Sequence, residues 1–222
     1  MIVVPEDTPE QKARRNQMVK QQLRARDIQD ERVLKVMEEL PRHHFIPPEN
    51  KNQAYLDQPV PIGRGQTISQ PYIVALMTEK LDVQPDHQVL EIGYGCGYQT
   101  AILARLAQKV YSVELLEEIG CWGRGNLEEL GVKNVQFHIG DGRQGWPASK
   151  SPGQTEPIQF DRILVAAAAR EVPAALKEQL KQGGKMVIPL GAADSQVLWL
   201  MEKHGSDLNE TFLCYCRFVE LV

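Results

Sequence analysis

Apolar positions along this chain follow three rhythms. In residues 9–27 (PEQKARRNQMVKQQLRARD), Met18, Val19, Gln22 and Leu23 fall on one side of a helical projection, which predicts an amphipathic helix. Residues 30–40 (DERVLKVMEEL) carry a second stripe, Val33, Leu34, Met37 and Leu40, with Asp30 placed as an N-cap and Pro41 as the stop. Residues 42–71 lose all periodicity and read as one long irregular stretch. Loops of that length inside a domain are often lids or binding loops. Pro71 then suits the first turn of a helix continuing through YIVALMTEKL.

From residue 87 the rhythm alternates. HQVLEI, KVYSVE, NVQFHI, FDRILVAA and KMVIPL are short apolar runs of strand type. Between them YQTAILARLAQ, residues 115–130 and VPAALKEQLKQ read as helices, the last ended by Gly183 and Gly184. Residues 140–157 read as a loop. This β-α alternation predicts an α/β fold, a doubly wound and mostly parallel Rossmann-like sheet with helices on both faces. Only about six residues separate KMVIPL from QVLWLMEK, too few for a parallel crossover. The last two strands, QVLWLMEK and TFLCYCRFVELV, are therefore expected to run antiparallel. The expected organisation is a single domain over 1–222, with helices and a lid in 1–70 and the sheet core in 71–222.

Composition narrows the function. With 222 residues and a formal net charge of -4, the chain is one core in size and lacks the overall basic balance of most nucleic-acid binders. It has no apolar run long enough to span a bilayer. Its N-terminus, MIVVPEDTPEQKARR, is not a secretory signal, so the expected location is cytoplasmic, with no nucleic-acid or membrane partner. Cys96, Cys121, Cys214 and Cys216 lack metal-ligand spacing and read as small buried apolar side chains in a reducing compartment, with no metal.

Candidate chemistry centres on VLEIGYGCGYQT, residues 89–100, where Gly93, Gly95 and Gly97 follow a strand that contains Glu91. A strand, a glycine turn and a helix bring main-chain N–H groups close to a ligand. The P-loop signature is missing. The dinucleotide fingerprint would need a small residue at position 98, which is Tyr98. The second strand ends in Glu114, 21 residues after Gly93, where a carboxylate can accept from both hydroxyls of a ribose. The third is followed by Gly140-Asp141-Gly142. Glu114 also reads as a helix-start acid, and Asp141 as a turn former.

The pattern E-x-G-x-G-x-G resembles motif I of the Rossmann-like S-adenosylmethionine-dependent methyltransferases, in which an acid after the third strand reaches the adenine. PIGRGQTISQPYIVALM at 61–77, some 20 residues upstream of EIGYGCGYQTA, resembles the active-site segment of the protein-L-isoaspartate (D-aspartate) O-methyltransferases. PRHHFIPP, AYLDQPVPIG, GDGRQGWP, AAAREVPAAL, GGKMVIPLG and RFVELV extend the resemblance from about residue 15 to the end. It implies methyl transfer from S-adenosyl-L-methionine, leaving S-adenosyl-L-homocysteine, to the carboxylate of L-isoaspartyl or D-aspartyl residues in damaged proteins and peptides. The methyl ester then closes to a succinimide, whose hydrolysis returns some normal aspartate. The resemblance assigns Ser69 to the active site and Thr67, Ile68, Ile188 and Leu190 to the substrate. It assigns Glu91, Gly93, Tyr94, Gly95, Gly97, Glu114, Asp141 and Gly142 to the cofactor. By residue type alone Ser69 reads first as a helix cap before Pro71. A carboxylate is already ionised at neutral pH, so no base is needed, and His43 and His44 read as packing or surface residues. A monomer is the default expectation.

Several positions depart from the family pattern. Tyr94 and Cys96 stand where Thr and Ser are usual, Ala166 where Thr is frequent, and Glu220 where Pro is frequent. Gly120, Gly123 and Gly125 fall inside a predicted helix, at about 1 kcal/mol each relative to alanine, which predicts a marginal or kinked helix and weakened cofactor affinity. Three other readings remain: a methyltransferase of RNA or of a small molecule, a relative that binds cofactor without turnover, and a nicotinamide-dependent oxidoreductase. Tyr98 and the lack of a Tyr-x-x-x-Lys pair count against the last.

Overall fold

The computed structural model describes residues 7–148, 158–192 and 195–222. The N-terminal reading at 1–6, the last part of the 140–157 loop and the centre of the turn before QVLWLMEK lie outside the described residues.

Helix α1 (Pro9–Met18) opens on a capping box between Thr8 and Gln11. It does not run on as one α-helix to residue 27. It widens into a π-helical segment, Val19–Arg24, that keeps Met18, Val19 and Leu23 buried. Helix α2 (Glu31–Glu39) is capped by Asp30, whose side chain accepts from the Arg32 N–H, and its four predicted apolar residues are buried.

Residues 42–71 are ordered, contrary to the irregular reading. Two 3-10 turns, Arg42–Phe45 and Pro48–Gln53, precede a hairpin of β1 (Val60–Gly63) and β2 (Gln66–Ile68). The hairpin turns through Arg64 and Gly65, both at positive φ, as a two-residue hairpin loop requires. Its strands are too short for their alternation to be read from sequence. Helix α3 (Pro71–Leu81) follows with proline in its first turn.

The main sheet contains β3 (Gln88–Ile92), β4 (Lys109–Glu114), β5 (Val135–Ile139), β6 (Phe160–Val165), β7 (Leu180–Ala192), β8 (Ser195–His204) and β9 (Asp207–Cys216). Their spatial order is β5-β4-β3-β6-β7-β8-β9. The first five are parallel and the last two pair antiparallel, as the short connection demands. Strand alternation divides the core. Val89 and Val110 face one cluster, with α3 and helix α4 (Tyr98–Leu106). Leu90, Ile92, Tyr111 and Val113 face the other, with helix α6 (Ala174–Gln179).

Two boundaries differ from the sequence reading. Helix α6 stops at Gln179, not at Gly183, because Leu180 already pairs with Phe160 in the sheet. The Gln179 side chain meanwhile bonds the Trp146 N–H and carbonyl at 2.9 and 2.7 Å. At the other end β9 stops at Cys216. The side chain of Gln196 bonds the Phe218 N–H and carbonyl at 2.6 and 3.1 Å, replacing the strand partner. The chain then crosses to Ala168, so RFVELV is not a continuation of the edge strand.

Helix α5 (Glu117–Glu129) is continuous in spite of its glycines. A Cβ at Gly123 would collide with the Gly95 carbonyl, and one at Gly120 with the Tyr94 ring. Both glycines admit the turn after β3. Gly125 faces open space, and nothing in the structure explains it.

Candidate active site

The parallel strands β3, β4 and β6 end at one edge, where ligands of open α/β sheets bind. Gly93, Gly95 and Gly97 have φ of +83°, +53° and +88°, a left-handed path open to glycine. The hairpin lies over this turn. Ile62 would be 3.5 Å from a Cβ at Gly95, and Arg64 at the hairpin tip forms an ion pair with Glu118 of α5.

A cavity beneath the hairpin is walled by Gln66, Ile92, Gly93, Val113, Glu114, Gly142 and Ala167, and by Val219–Val222. Glu114 is buried. Its Oε2 accepts from the Gly95 N–H at 2.9 Å, and its Oε1 accepts from Leu115 and Leu116 N–H at 2.9 and 3.1 Å. Three main-chain donors fix this carboxylate at the cavity wall, with one lone pair of Oε2 left for a ligand hydroxyl. A Cβ at Gly142 would collide with Ile92, so the far wall is bare backbone. These features fit a nucleoside-bearing cofactor.

Other residues assigned to the cofactor lie elsewhere. Glu91 does not face the cavity. It is fully buried inside the sheet, its Oε2 accepting from Ser112 Oγ at 2.7 Å while Oε1 has no partner among the described residues. Burial raises its pKa to about 7, with the Ser112 bond pulling the other way. Tyr94 neither crowds a cavity nor points outward. It is buried against Phe137 at 5.3 Å between ring centroids. The Asp141 carboxylate turns to Arg143, with Nη2 at 2.8 Å, and lines a neighbouring hollow with His138 and Trp146. The guanidinium of Arg143 holds it below the usual carboxylate range.

A second cavity, of about 250 Å³, contains Thr67 and Ser69. Arg26, Tyr72, Cys214, Cys216 and the segment Arg217–Val219 form its other walls. The N-cap of α3 is Gln70, with no side-chain capping bond, so Ser69 is not the cap. Ile68 is buried beneath the hairpin. Ile188 is fully buried in the core under β7, out of reach of a peptide, because its side chain takes the interior face of the strand. Leu190 is half-buried beside it.

The wall that sequence reading missed is the last segment. Val219 accepts from the Ala168 N–H at 2.7 Å and Leu221 N–H donates to the Ala168 carbonyl at 2.8 Å. Both bonds are made by neighbours of Glu220, and its own N–H takes no part in this pairing, which is why the position accepts either Glu or Pro. Val219 lines both cavities.

The remaining candidates pack. His43 is buried with Nδ1 2.7 Å from the Tyr55 hydroxyl, and burial lowers its pKa. His44 is half-buried against the Asn126 carbonyl at 3.3 Å. All four cysteines are free. Cys96 is buried and Cys214 and Cys216 are half-buried, but Cys121 is exposed on α5, contrary to expectation. Among the described residues no group of His, Cys, Asp or Glu could hold a metal ion, and no helix is long and apolar enough to cross a membrane.

Comparison with known proteins places the chain in a family. The model of the family described as Protein-L-isoaspartate(D-aspartate) O-methyltransferase (PCMT) matches residues 13–222. A protein-L-isoaspartate O-methyltransferase of Picosynechococcus is 47% identical over 94% of this chain and 90% of its own length. One from Dictyoglomus thermophilum is 46% identical over 97% and 94%. A solved protein-L-isoaspartate O-methyltransferase superposes with a TM-score of 0.80 at 29% identity, over 92% of this chain and 65% of that one. A Plasmodium falciparum structure described as a putative member in complex with S-adenosyl-L-homocysteine gives 0.79 at 24% identity over 94% and 98%, a likeness of fold. With a family match over nearly its whole length, this chain belongs to the protein-L-isoaspartate (D-aspartate) O-methyltransferases, enzymes that esterify the carboxylate of isoaspartyl residues.

Proposed function

We propose that methyl transfer takes place at Val219 and β2, where the two cavities adjoin. The observation that carries this is the shared wall. Val219 lines both cavities, while Gln66 faces one and the adjacent Thr67 the other. A donor held at Gly93 and Glu114 and an acceptor held at Thr67 and Ser69 then meet across one side chain and one strand.

S-adenosyl-L-methionine, when bound, supplies a methyl group on a sulfonium and leaves as the neutral S-adenosyl-L-homocysteine. Everything else falls to this chain's residues. Glu114 anchors the ribose through the carboxylate that its three N–H donors hold still. The acceptor carboxylate is ionised at neutral pH, so no side chain has to remove a proton. The hydroxyls of Thr67 and Ser69 orient it and replace its water, and orientation with desolvation provides the acceleration. Arg26, exposed at the wall of this cavity, puts Thr67 and Ser69 beside the protein surface, which suits a flexible segment of a damaged protein. The exposed Arg26 there is already paired with Asp57 at 2.9 Å.

The test is transfer of labelled methyl from S-adenosylmethionine to two synthetic peptides, one with L-isoaspartate and one with L-aspartate at the same position. Base-labile methyl on the isoaspartyl peptide alone is expected, with Ser69→Ala lowering its rate. Equal labelling of both peptides, or none with intact cofactor binding, would overturn the reading.

A further inference from the structure

Arg42 is fully buried, and among the described residues its hydrogen bonds go to main-chain carbonyls alone. Nε donates to the Ala54 carbonyl at 2.8 Å and Nη2 donates to the Ser69 carbonyl at 2.7 Å. The guanidinium carbon lies 5.0 Å from the centroid of the Tyr98 ring. Nη1 is buried without a partner among the described residues. Asp57, whose charge is felt at Arg42, is bonded to Arg26 at 2.9 Å instead.

Burying a cation without a carboxylate is costly, and burial depresses the pKa of this guanidinium. Hydrophobic packing alone would be served better by leucine or methionine. What the arginine holds is informative. Ala54 and Ser69 are the two ends of the segment that contains the hairpin and carries Thr67. Tyr98 is the first residue of α4, directly after Gly97 of the cofactor turn. One rigid planar group therefore spans both ends of the lid and the base of the glycine turn. A lysine, with a single nitrogen, cannot reproduce this fork.

We propose that Arg42 is a positioning residue for methyl transfer, fixing the Ser69 carbonyl and the end of β2 against the cofactor turn so that acceptor and donor meet in line. The proposal deepens the reading of Thr67 and Ser69 as the acceptor side and rests on it. A misplacement of about 1 Å is enough to cost roughly 100-fold in rate, so loosening this anchor should appear in turnover before it appears in cofactor binding.

The experiment compares the full-length protein with Arg42→Lys, measuring kcat and KM for the isoaspartyl peptide, affinity for S-adenosylhomocysteine by calorimetry, and the melting curve. Assays are run well below the lower Tm. A 10- to 100-fold fall in kcat is expected, with S-adenosylhomocysteine affinity within about threefold of wild type. Should Arg42→Lys fail to fold, Arg42→Gln removes the buried charge, keeps one donor and gives the same readout. A wild-type kcat with only a lowered Tm would reduce Arg42 to a structural residue and overturn the proposal. Ser69→Ala, assayed alongside, separates the two ideas. If it turns over normally while Arg42→Lys is slow, the role of the Ser69 hydroxyl fails and the anchoring of its backbone stands. If Ser69→Ala is slow and Arg42→Lys is not, the anchoring alone fails.

Discussion

The hydroxyl of Tyr94 lies 2.5 Å from where the Cβ of an alanine at position 120 would sit. Ile139 Cδ1 closes the same space at 2.6 Å. Tyr94 cannot swing aside, because it is buried against Phe137. Two departures from the family pattern, the bulky Tyr94 and the helical Gly120, are thus one packing arrangement. Gly120→Ala should gain about 1 kcal/mol of helix propensity and lose about 1–3 kcal/mol to overpacking, a net destabilisation. In Tyr94→Thr the ring's part of this clash is gone and Ile139 Cδ1, the far end of a flexible and exposed side chain, can give way, so adding Gly120→Ala should then stabilise. Urea unfolding of both single variants and the double variant reads the coupling directly. Additive effects would mean the two side chains do not share this space.

This pair shows what the sequence could disclose. The alternating core was legible because parallel strands buried on both faces are near-continuous apolar runs. Reversal at β8 followed from chain length alone. The place of Glu114 at a cavity wall was legible because a strand end fixes where its side chain goes. Glu91 and Ile188 were misplaced because a strand's period says which residues share a face, not which face meets the site. Asp141 was misplaced because its partner, Arg143, is a local competitor that no motif records. The Val219 wall depends on the Gln196 side chain capturing Phe218, a tertiary event with no local signal.

Glu91 gives a dependence on pH. Its pKa of about 7 in the folded protein exceeds its ordinary value of 4.5, so folding favours the protonated acid. This group leaves stability unaffected below about pH 4.5. Stability then falls as pH rises through 7 and is level above, a loss on the order of 3 kcal/mol. Glu91→Gln keeps an acceptor for Ser112 and cannot ionise. It should match wild type near pH 4.5 and exceed it in stability at pH 8. A difference between the two proteins that stays constant across pH would refute this account.

The ion pair of Arg64 and Glu118 spans from the hairpin tip to α5 across the cofactor turn. Both side chains are exposed, so global stability should hardly change in Arg64→Ala. Its effect belongs to the lid. Release of S-adenosylhomocysteine should be about two- to fivefold faster in the variant at low salt, the difference vanishing near 1 M, where the screening length is roughly 3 Å. Stopped-flow displacement measures it. A salt-independent difference would point to loss of hairpin structure and not of the pair.

The proposed cofactor site is tested most directly at Glu114. Its carboxylate holds the Gly95 N–H with one oxygen and the Leu115 and Leu116 N–H groups with the other. Glu114→Gln keeps one carbonyl oxygen but turns an amide donor toward N–H groups, and a charged hydrogen bond is worth roughly 1.5–3 kcal/mol. Affinity for S-adenosylhomocysteine should fall by about 10- to 100-fold, since 1.4 kcal/mol is a factor of ten. The turn is loosened too, so the bare Tm will drop and does not discriminate. The discriminating quantity is the increase in Tm produced by saturating S-adenosylhomocysteine, which reports binding to the folded state. If that increase is as large in Glu114→Gln as in wild type, Glu114 merely ties the turn together and the ribose is held by other groups. If the increase collapses while the unliganded variant still melts cooperatively, the acid at the end of β4 is the cofactor's anchor.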